Sequence, residues 1–321
     1  MKPALPLVAD EQTVRSALPK LDIEGSLRSM FRALASEQAV QPPQTLTLLP
    51  NGAGDFITYL GALASEKVFG AKLSPYLVTG GKPIITAWTS LMSMETGAPL
   101  MLCDAGLLTT ERTAATTALA IAELARPGAT HLALIGSGAV GLAHLRHAAP
   151  LRAWESIRVF SPELAGDADK CAAVQALDAR AQVCDSAHAC VRDADVVMLC
   201  TSSGSPVLMP AWLTKPALIT SISTNVANAH EIPPAWLPDM DVYCDYLRTT
   251  PASAGEMKLA EQSNGWSPQR IKGDLPALVT GACDKPRYER CAFFRSIGLG
   301  LEDVAIAHAL YRHLRENQSL Q

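Results

Sequence analysis

Apolar positions follow one rhythm over the first hundred residues of this chain and another over the next two hundred. Early on, Ile23, Leu27, Phe31 and Leu34 recur at helical spacing, and Asp22 stands where a carboxylate caps a helix start. Short β-prone runs follow at 45–49, 72–79 and 84–94, separated by PPQ at 42–44, NGAG at 51–54, GGKP at 80–83 and ETGAP at 95–99. Gly and Pro between such runs predict an antiparallel sheet with hairpin turns. The stretch 109–125 (TTERTAATTALAIAELA) predicts an alanine-rich helix capped by threonine. Beyond Arg126-Pro127-Gly128 the pattern becomes strand, helix, strand, with apolar strands at 131–135, 157–160, 181–184, 195–201 and 217–223 and a further one at 242–245. Near-continuous apolar strands alternating with helices predict a parallel sheet covered on both faces. The end of the chain, 301–316 (LEDVAIAHALYRHLRE), predicts an amphipathic helix. The fold class expected is α/β, a Rossmann-type doubly wound parallel sheet joined to an α+β domain with an antiparallel sheet.

Composition narrows the class. At 321 residues, with 48% apolar and 18% charged residues, the chain is long enough for two domains and too apolar to be disordered. A net charge of −4 gives no basic face for nucleic acid. No apolar run approaches the roughly 20 residues of a membrane span, and residues 1–10 (MKPALPLVAD) lack the apolar core of a signal peptide. Eight scattered cysteines form no CxxC pair and no zinc-type spacing, so free thiols in a reducing cytoplasm, and no metal, are expected.

The most specific local signal is "HLALIGSGAVGLAHLRHAA" at 131–149. An apolar strand empties into Gly136-Ser137-Gly138-Ala139-Val140-Gly141, and a helix follows. In that context Gly136 makes the tight exit, Gly138 admits a pyrophosphate and Gly141 lets the helix pack closely on the sheet, with its N-terminus facing the anion. This predicts a dinucleotide site. At the tip of the next strand, where an acid would grip the adenosine ribose, the chain has Ser161. The missing carboxylate removes repulsion against a 2′-phosphate, so NADPH or NADH is expected, with NADPH favoured. Thr201 and Asn225 follow apolar strands, where ligands bind in open α/β sheets. For the chemistry the first half offers Lys72, set among apolar residues where burial would lower its pKa, and Arg112, near a helix start where its fork would bind a carboxylate. Each also has a bland reading as a solvated cation.

The order of several segments resembles the ornithine cyclodeaminase/μ-crystallin family over nearly the whole chain. They are PPQTLTLLP, FGAKLSPY, ETGAPL, LLTTERTAATTALAIAELARPGA, LALIGSGAVG, DVVMLCTSSGSPVL and FFRSIGLGLEDVAIAHALY. The resemblance implies a homodimer, with residues 1–125 and 299–321 as substrate and dimerisation domain and 126–298 as NAD(P)-binding domain. It sets Lys72 and Arg112 around the substrate carboxylate and nitrogen. It also places Ala139, Val140, Ser161, Thr201, Ile222 and Ser296 along the cofactor, with Thr86 and Arg112 in the same group, and Ile297 beside the substrate.

Two departures carry information. The family's arginine after the double proline, a second carboxylate anchor, is Gln44 here, and an acid used by cyclodeaminases for the distal amine falls on Asn225. Asn225 cannot take up a proton in that role, which disfavours cyclisation of ornithine. The expectation is therefore NAD(P)H-dependent reduction of a cyclic ketimine carboxylate, Δ1-pyrroline-2-carboxylate or Δ1-piperideine-2-carboxylate, to L-proline or L-pipecolate. Arg112 and Gln44 would hold the carboxylate, and Lys72 the imine nitrogen. The alternatives are an ornithine cyclodeaminase, an open-chain imino-acid reductase such as an alanine dehydrogenase, and a non-catalytic NADPH-dependent binding protein.

Overall fold

The computed structural model describes residues 5–223 and 228–318, and the chain divides into two compact units. One comprises residues 1–112 with 298–321, the other 113–297.

Among the described residues of the first unit, the strands are β1 (Leu7–Ala9), β2 (Ala39–Val40), β3 (Thr45–Leu48), β4 (Gly54–Leu63), β5 (Val68–Leu77), β6 (Ile84–Ile85), β7 (Trp88–Ser93) and β8 (Pro99–Asp104). They form one sheet in the order β1-β8-β7-β5-β4-β2, with β3 on β4 and β6 on β5. All pairings are antiparallel except that of β1 with β8. The hairpin expectation holds for β3, β5 and β7. β4 and β8 lie outside the runs expected to be strands: Gly61 interrupts the β-prone pattern of one, and Pro99 opens the other. Helix α1 (Glu11–Ala17) precedes α2 (Ile23–Ala35), and the Asp22 carboxylate accepts from Gly25 N at 2.9 Å, as expected of a cap.

One face of this sheet is closed by the C-terminal helix, Gly300–Gln318, which buries Leu301, Val304, Ile306 and Leu310. Fully burying a side chain of that size stabilises by about 1.5–3 kcal/mol. The helix comes very close because β4 offers no side chain at Gly61. A Cβ there would lie 2.6 Å from Leu301 Cα.

Helix α3 (Gly106–Leu124) carries the chain from the first unit into the second. It starts three residues before the expected Thr109, and the Asp104 carboxylate accepts from Gly106 N at 3.0 Å. Thr109 is therefore an internal helix residue and not its cap.

The second unit is built on eight parallel strands among its described residues. They are β9 (His131–Ile135), β10 (Ser156–Phe160), β11 (Ala181–Val183), β12 (Val196–Leu199), β13 (Leu218–Ser221), β14 (Asp241–Cys244), β15 (Gly273–Asp274) and β16 (Ala292–Arg295). Their order is β11-β10-β9-β12-β13-β16-β14-β15. Six of them coincide with the expected runs. β15 and β16 do not, since two residues, or four ending in arginine, carry little strand signal. Arg295 of β16 is buried against Glu256 at 3.0 Å. The core under these strands includes Val197, Leu199, Ile219, Val242 and Phe293, all fully buried. The chain runs from β9 outward to β10 and β11, then returns to the other side of β9 with β12. The β9/β12 boundary is thus the topological switch point, where doubly wound sheets bind ligands. Among the described residues no helix is long and apolar enough to cross a membrane.

Candidate functional site

Strand alternation decides where Lys72 points. Tyr59 on β4, Lys72 on β5 and Thr89 on β7 are register partners, and all three side chains are buried on the face covered by the C-terminal helix. Lys72 is only 1% exposed. Its ammonium lies 3.1 Å from Asp303 Oδ1 and 2.9 Å from Oδ2, 3.2 Å from Thr109 Oγ1, and 4.2 Å from the Tyr59 ring centroid. Arg112, on the next turn of α3, is 4% exposed. Its Nε donates to Asp303 Oδ1 at 3.0 Å and a terminal nitrogen donates to Glu302 Oε2 at 2.9 Å. Gly298, at φ +75°, makes room for this guanidinium, since a Cβ there would sit 2.4 Å from one terminal nitrogen. The solvated readings of Lys72 and Arg112 are thereby excluded.

Two cations and two carboxylates make this buried cluster formally neutral, and Asp303 bridges both cations. Burial, the largest influence on Lys72, strips the ammonium of water and lowers its pKa; Asp303 pulls it back up and Arg112 repels it. The balance leaves Lys72 at about 8. Arg112 remains charged, because Asp303 and Glu302 outweigh the effect of its burial. A lysine near 8 can give up or take back a proton close to neutral pH, as acid–base chemistry requires. Glu302 and Asp303 stood in the SIGLGLED segment without being recognised as site residues.

The first unit also holds Gln44 and Thr86. Gln44 directly precedes β3, whose Thr45 pairs with Thr58 of β4. The Gln44 amide oxygen is buried and has no partner within the protein. Thr86 is exposed between β6 and β7. Asn225 lies outside the described residues.

In the second unit, a cleft of about 850 Å³ opens at the carboxyl ends of β9, β10, β12 and β13. Its lining includes Gly136, Ser137, Gly138, Ala139, Val140, Gly141, Ser161, Thr201 and Ile222, nine of the residues expected along a cofactor. Gly136 has φ +108°, and a Cβ there would strike the Cys200 carbonyl oxygen at 2.3 Å. Helix α4 (Ala139–Ala148) begins at Gly138, whose Cβ position is open space. The Ser137 and Ser223 hydroxyls are buried without a protein partner. An open helix N-terminus flanked by unsatisfied hydroxyls suits a pyrophosphate, so these residues fit the dinucleotide their motif implies. Ser296 and Ile297 are not in this lining. The Ser296 hydroxyl and the Ile297 N–H donate to Asp245 Oδ2 at 3.0 and 2.7 Å.

A buried acid missing from the sequence reading braces the cleft. Glu231 is 0% exposed and accepts from Thr201 N, Thr201 Oγ1, Ser221 Oγ and Ser223 N, at 2.8, 2.7, 2.7 and 2.9 Å. It ties the loops after β12 and β13 together. Its partners lie 8 to 30 residues away, so no local motif marks it. Among the described residues no group of three or more His, Cys, Asp or Glu side chains could hold a metal ion.

Comparison with known proteins accords with this geometry. A model of the ornithine cyclodeaminase/mu-crystallin family matches residues 6–318. A Pseudomonas aeruginosa protein named NAD(P)H-dependent anabolic L-arginine dehydrogenase DauB is 52% identical over 312 residues, covering 97% of this chain and 98% of that protein. The ketimine reductase mu-crystallin of Rattus norvegicus is 25% identical over 280 residues, covering 85% and 84%. Among solved structures, a probable ornithine cyclodeaminase from Bordetella pertussis Tohama I has a TM-score of 0.87 at 26% identity, covering 98% of this chain and 99% of that one.

Proposed function

Because the chain belongs to the ornithine cyclodeaminase/mu-crystallin family and is an NAD(P)-dependent oxidoreductase of carbon–nitrogen bonds, we propose that it interconverts a 2-imino acid and the L-amino acid, with an open-chain, guanidino-bearing substrate of the arginine class. The observation that carries the reaction is the buried Lys72–Arg112–Glu302–Asp303 cluster. The substrate class rests on the Pseudomonas relative, 52% identical over nearly all of both chains. Gln44 supports it, because a neutral amide oxygen lacking a partner accepts from a cationic substrate where an arginine would repel it.

The geometry supports the following roles. Residues 136–141, Ser161, Thr201 and Ile222 would hold the dinucleotide, which when bound supplies or accepts the hydride. Arg112, fixed by two carboxylates, takes the substrate carboxylate. Lys72 Nζ donates a proton toward the imine nitrogen, which makes the adjacent carbon a better electrophile. In the oxidative direction neutral Lys72 takes that proton back from the protonated imine nitrogen. Asp303 positions both cations. Preorganised charges of this kind act without reorganisation cost at the moment of reaction.

A second reading, reduction of a cyclic ketimine to L-proline or L-pipecolate, is favoured by the relationship to the ketimine reductase of rat. One assay separates the two. Purified protein and reduced cofactor are mixed with 2-oxo-5-guanidinopentanoate plus ammonium, or with Δ1-pyrroline-2-carboxylate or Δ1-piperideine-2-carboxylate, and cofactor absorbance is followed. Consumption with the guanidino acid and ammonium is expected. Consumption with a cyclic imine alone would move the assignment to the second reading, and none with any substrate would end both. Conversion of ornithine with ammonia release would restore the lyase.

A further inference from the structure

The nucleotide cleft carries a single charge. Among the described residues that line it, from the glycine turn to Ser223, Glu163 is the one ionisable acid or base other than the buried thiol of Cys200. No arginine or lysine joins it there. The cleft reaches Glu163 through a tight turn after β10. Ser161 is buried, its Oγ accepts from Glu163 N at 3.4 Å, and Pro162–Leu164 form one turn of 3-10 helix. In a doubly wound sheet the end of this second strand faces the adenosine ribose of a bound dinucleotide.

Nothing neutralises Glu163 firmly. Lys170, on the helix Ala168–Leu177, is the nearest cation, 3.8 Å from Glu163 Oε2, but it lies closer to Asp167, at 3.3 Å. The Glu163 side chain is 71% exposed and Lys170 50%, so this is a loose surface pair. The three groups together carry one net negative charge.

A carboxylate in this position accepts hydrogen bonds from ribose hydroxyls and repels a phosphate ester on the 2′ oxygen. We propose that Glu163 is the specificity-determining residue for the cofactor and favours the dinucleotide without a 2′-phosphate, NADH, over NADPH. This rests on the reading of the cleft as the NAD(P) site. It reverses the preference expected from Ser161 alone. The acid that residue 161 lacks is supplied two residues later, by a turn that brings it back to the cleft.

The test is calorimetric titration with ADP-ribose and 2′-phospho-ADP-ribose, which needs no substrate and no turnover. The native protein is expected to bind ADP-ribose about tenfold more tightly, a difference that shrinks as salt screens the exposed carboxylate. Glu163→Gln should remove most of the difference, chiefly by tighter binding of the phosphorylated ligand. Lys170→Met, which removes the partial neutralisation, should widen it. Equal affinities in the native protein, or a preference that survives Glu163→Gln, would overturn the assignment of Glu163 while leaving the cofactor site in place. Failure of the native protein to bind either ligand would overturn the cofactor site and this inference with it.

Discussion

At the scale of single residues, the property of Lys72 that matters is the energy of its charge. Burial and Arg112 disfavour the ammonium, Asp303 favours it, and the result is a pKa of about 8 instead of the ordinary 10.5. Below that value Lys72 is protonated and can donate to an imine; above it the donor is lost. The kcat/KM for imine reduction is therefore expected to be level at lower pH and to fall about tenfold per unit above pH 8, with amine oxidation showing the opposite limb. Lys72→Met should abolish both limbs and lower turnover at least about a hundredfold, with dinucleotide affinity measured by fluorescence titration unchanged. A pH profile without a limb near 8 would remove Lys72 from proton transfer. The sequence marked Lys72 and Arg112 by their apolar and helical settings, yet it could not show them buried. Their partners Asp303 and Glu302 lie 231 and 190 residues away. Charge pairing over such separations leaves no local pattern, and neither do the hydroxyl and backbone N–H partners of Glu231, 8 to 30 residues away.

At the scale of elements, a close approach of backbone to backbone holds the cluster together. Gly61 in β4 faces Leu301, and a Cβ at Gly300 would in turn lie 2.5 Å from Leu60 N. Glu302 and Asp303 follow Leu301 directly, so the seating of the C-terminal helix on β4 sets where the two carboxylates meet Lys72 and Arg112. Gly61→Ala is expected to push the helix outward, at a cost of about 1–3 kcal/mol in denaturant unfolding. Turnover should fall with it, because Asp303 moves from both cations. Dinucleotide binding belongs to the other unit and should stay as it was. Loss of stability without loss of turnover would show that the cluster tolerates displacement. Elements of this kind differ in how far they can be read in advance. Buried parallel strands announce themselves by unbroken apolar runs, so β9 to β14 were legible to within a residue or two at most ends. β4 was not, since the glycine that admits the helix is the residue that breaks the strand pattern. β8 and β16 failed for similar reasons, one opening on proline and the other ending on a buried arginine whose partner Glu256 is distant in sequence.

At the scale of the whole molecule, the alternation that buries Lys72 has a counterpart on the opposite face of the same sheet. If Tyr59, Lys72 and Thr89 point toward the C-terminal helix, then Leu60, Leu73 and Trp88 must point away from it. They do, and Phe69, Leu102 and Val8 extend the same exposed face. Leu73 and Trp88 are register partners exposed by 48% and 36%. Soluble monomers seldom leave an apolar patch of more than a few hundred Å² in water. The occupant proposed for it is the same face of a second copy, since a two-fold axis lets one apolar patch cover itself without a further partner. Leu73→Glu would set a carboxylate on that surface, next to Trp88, at a cost in desolvation that an interface cannot recover. Sedimentation velocity should then show a dimer for the native protein and a monomer for the variant. Since residue 73 adjoins Lys72 on β5, the monomer should also lose turnover more than it loses dinucleotide affinity. A native protein that sediments as a monomer at micromolar concentration, or a Leu73→Glu variant that remains dimeric, would show that this face is covered by something other than its own copy.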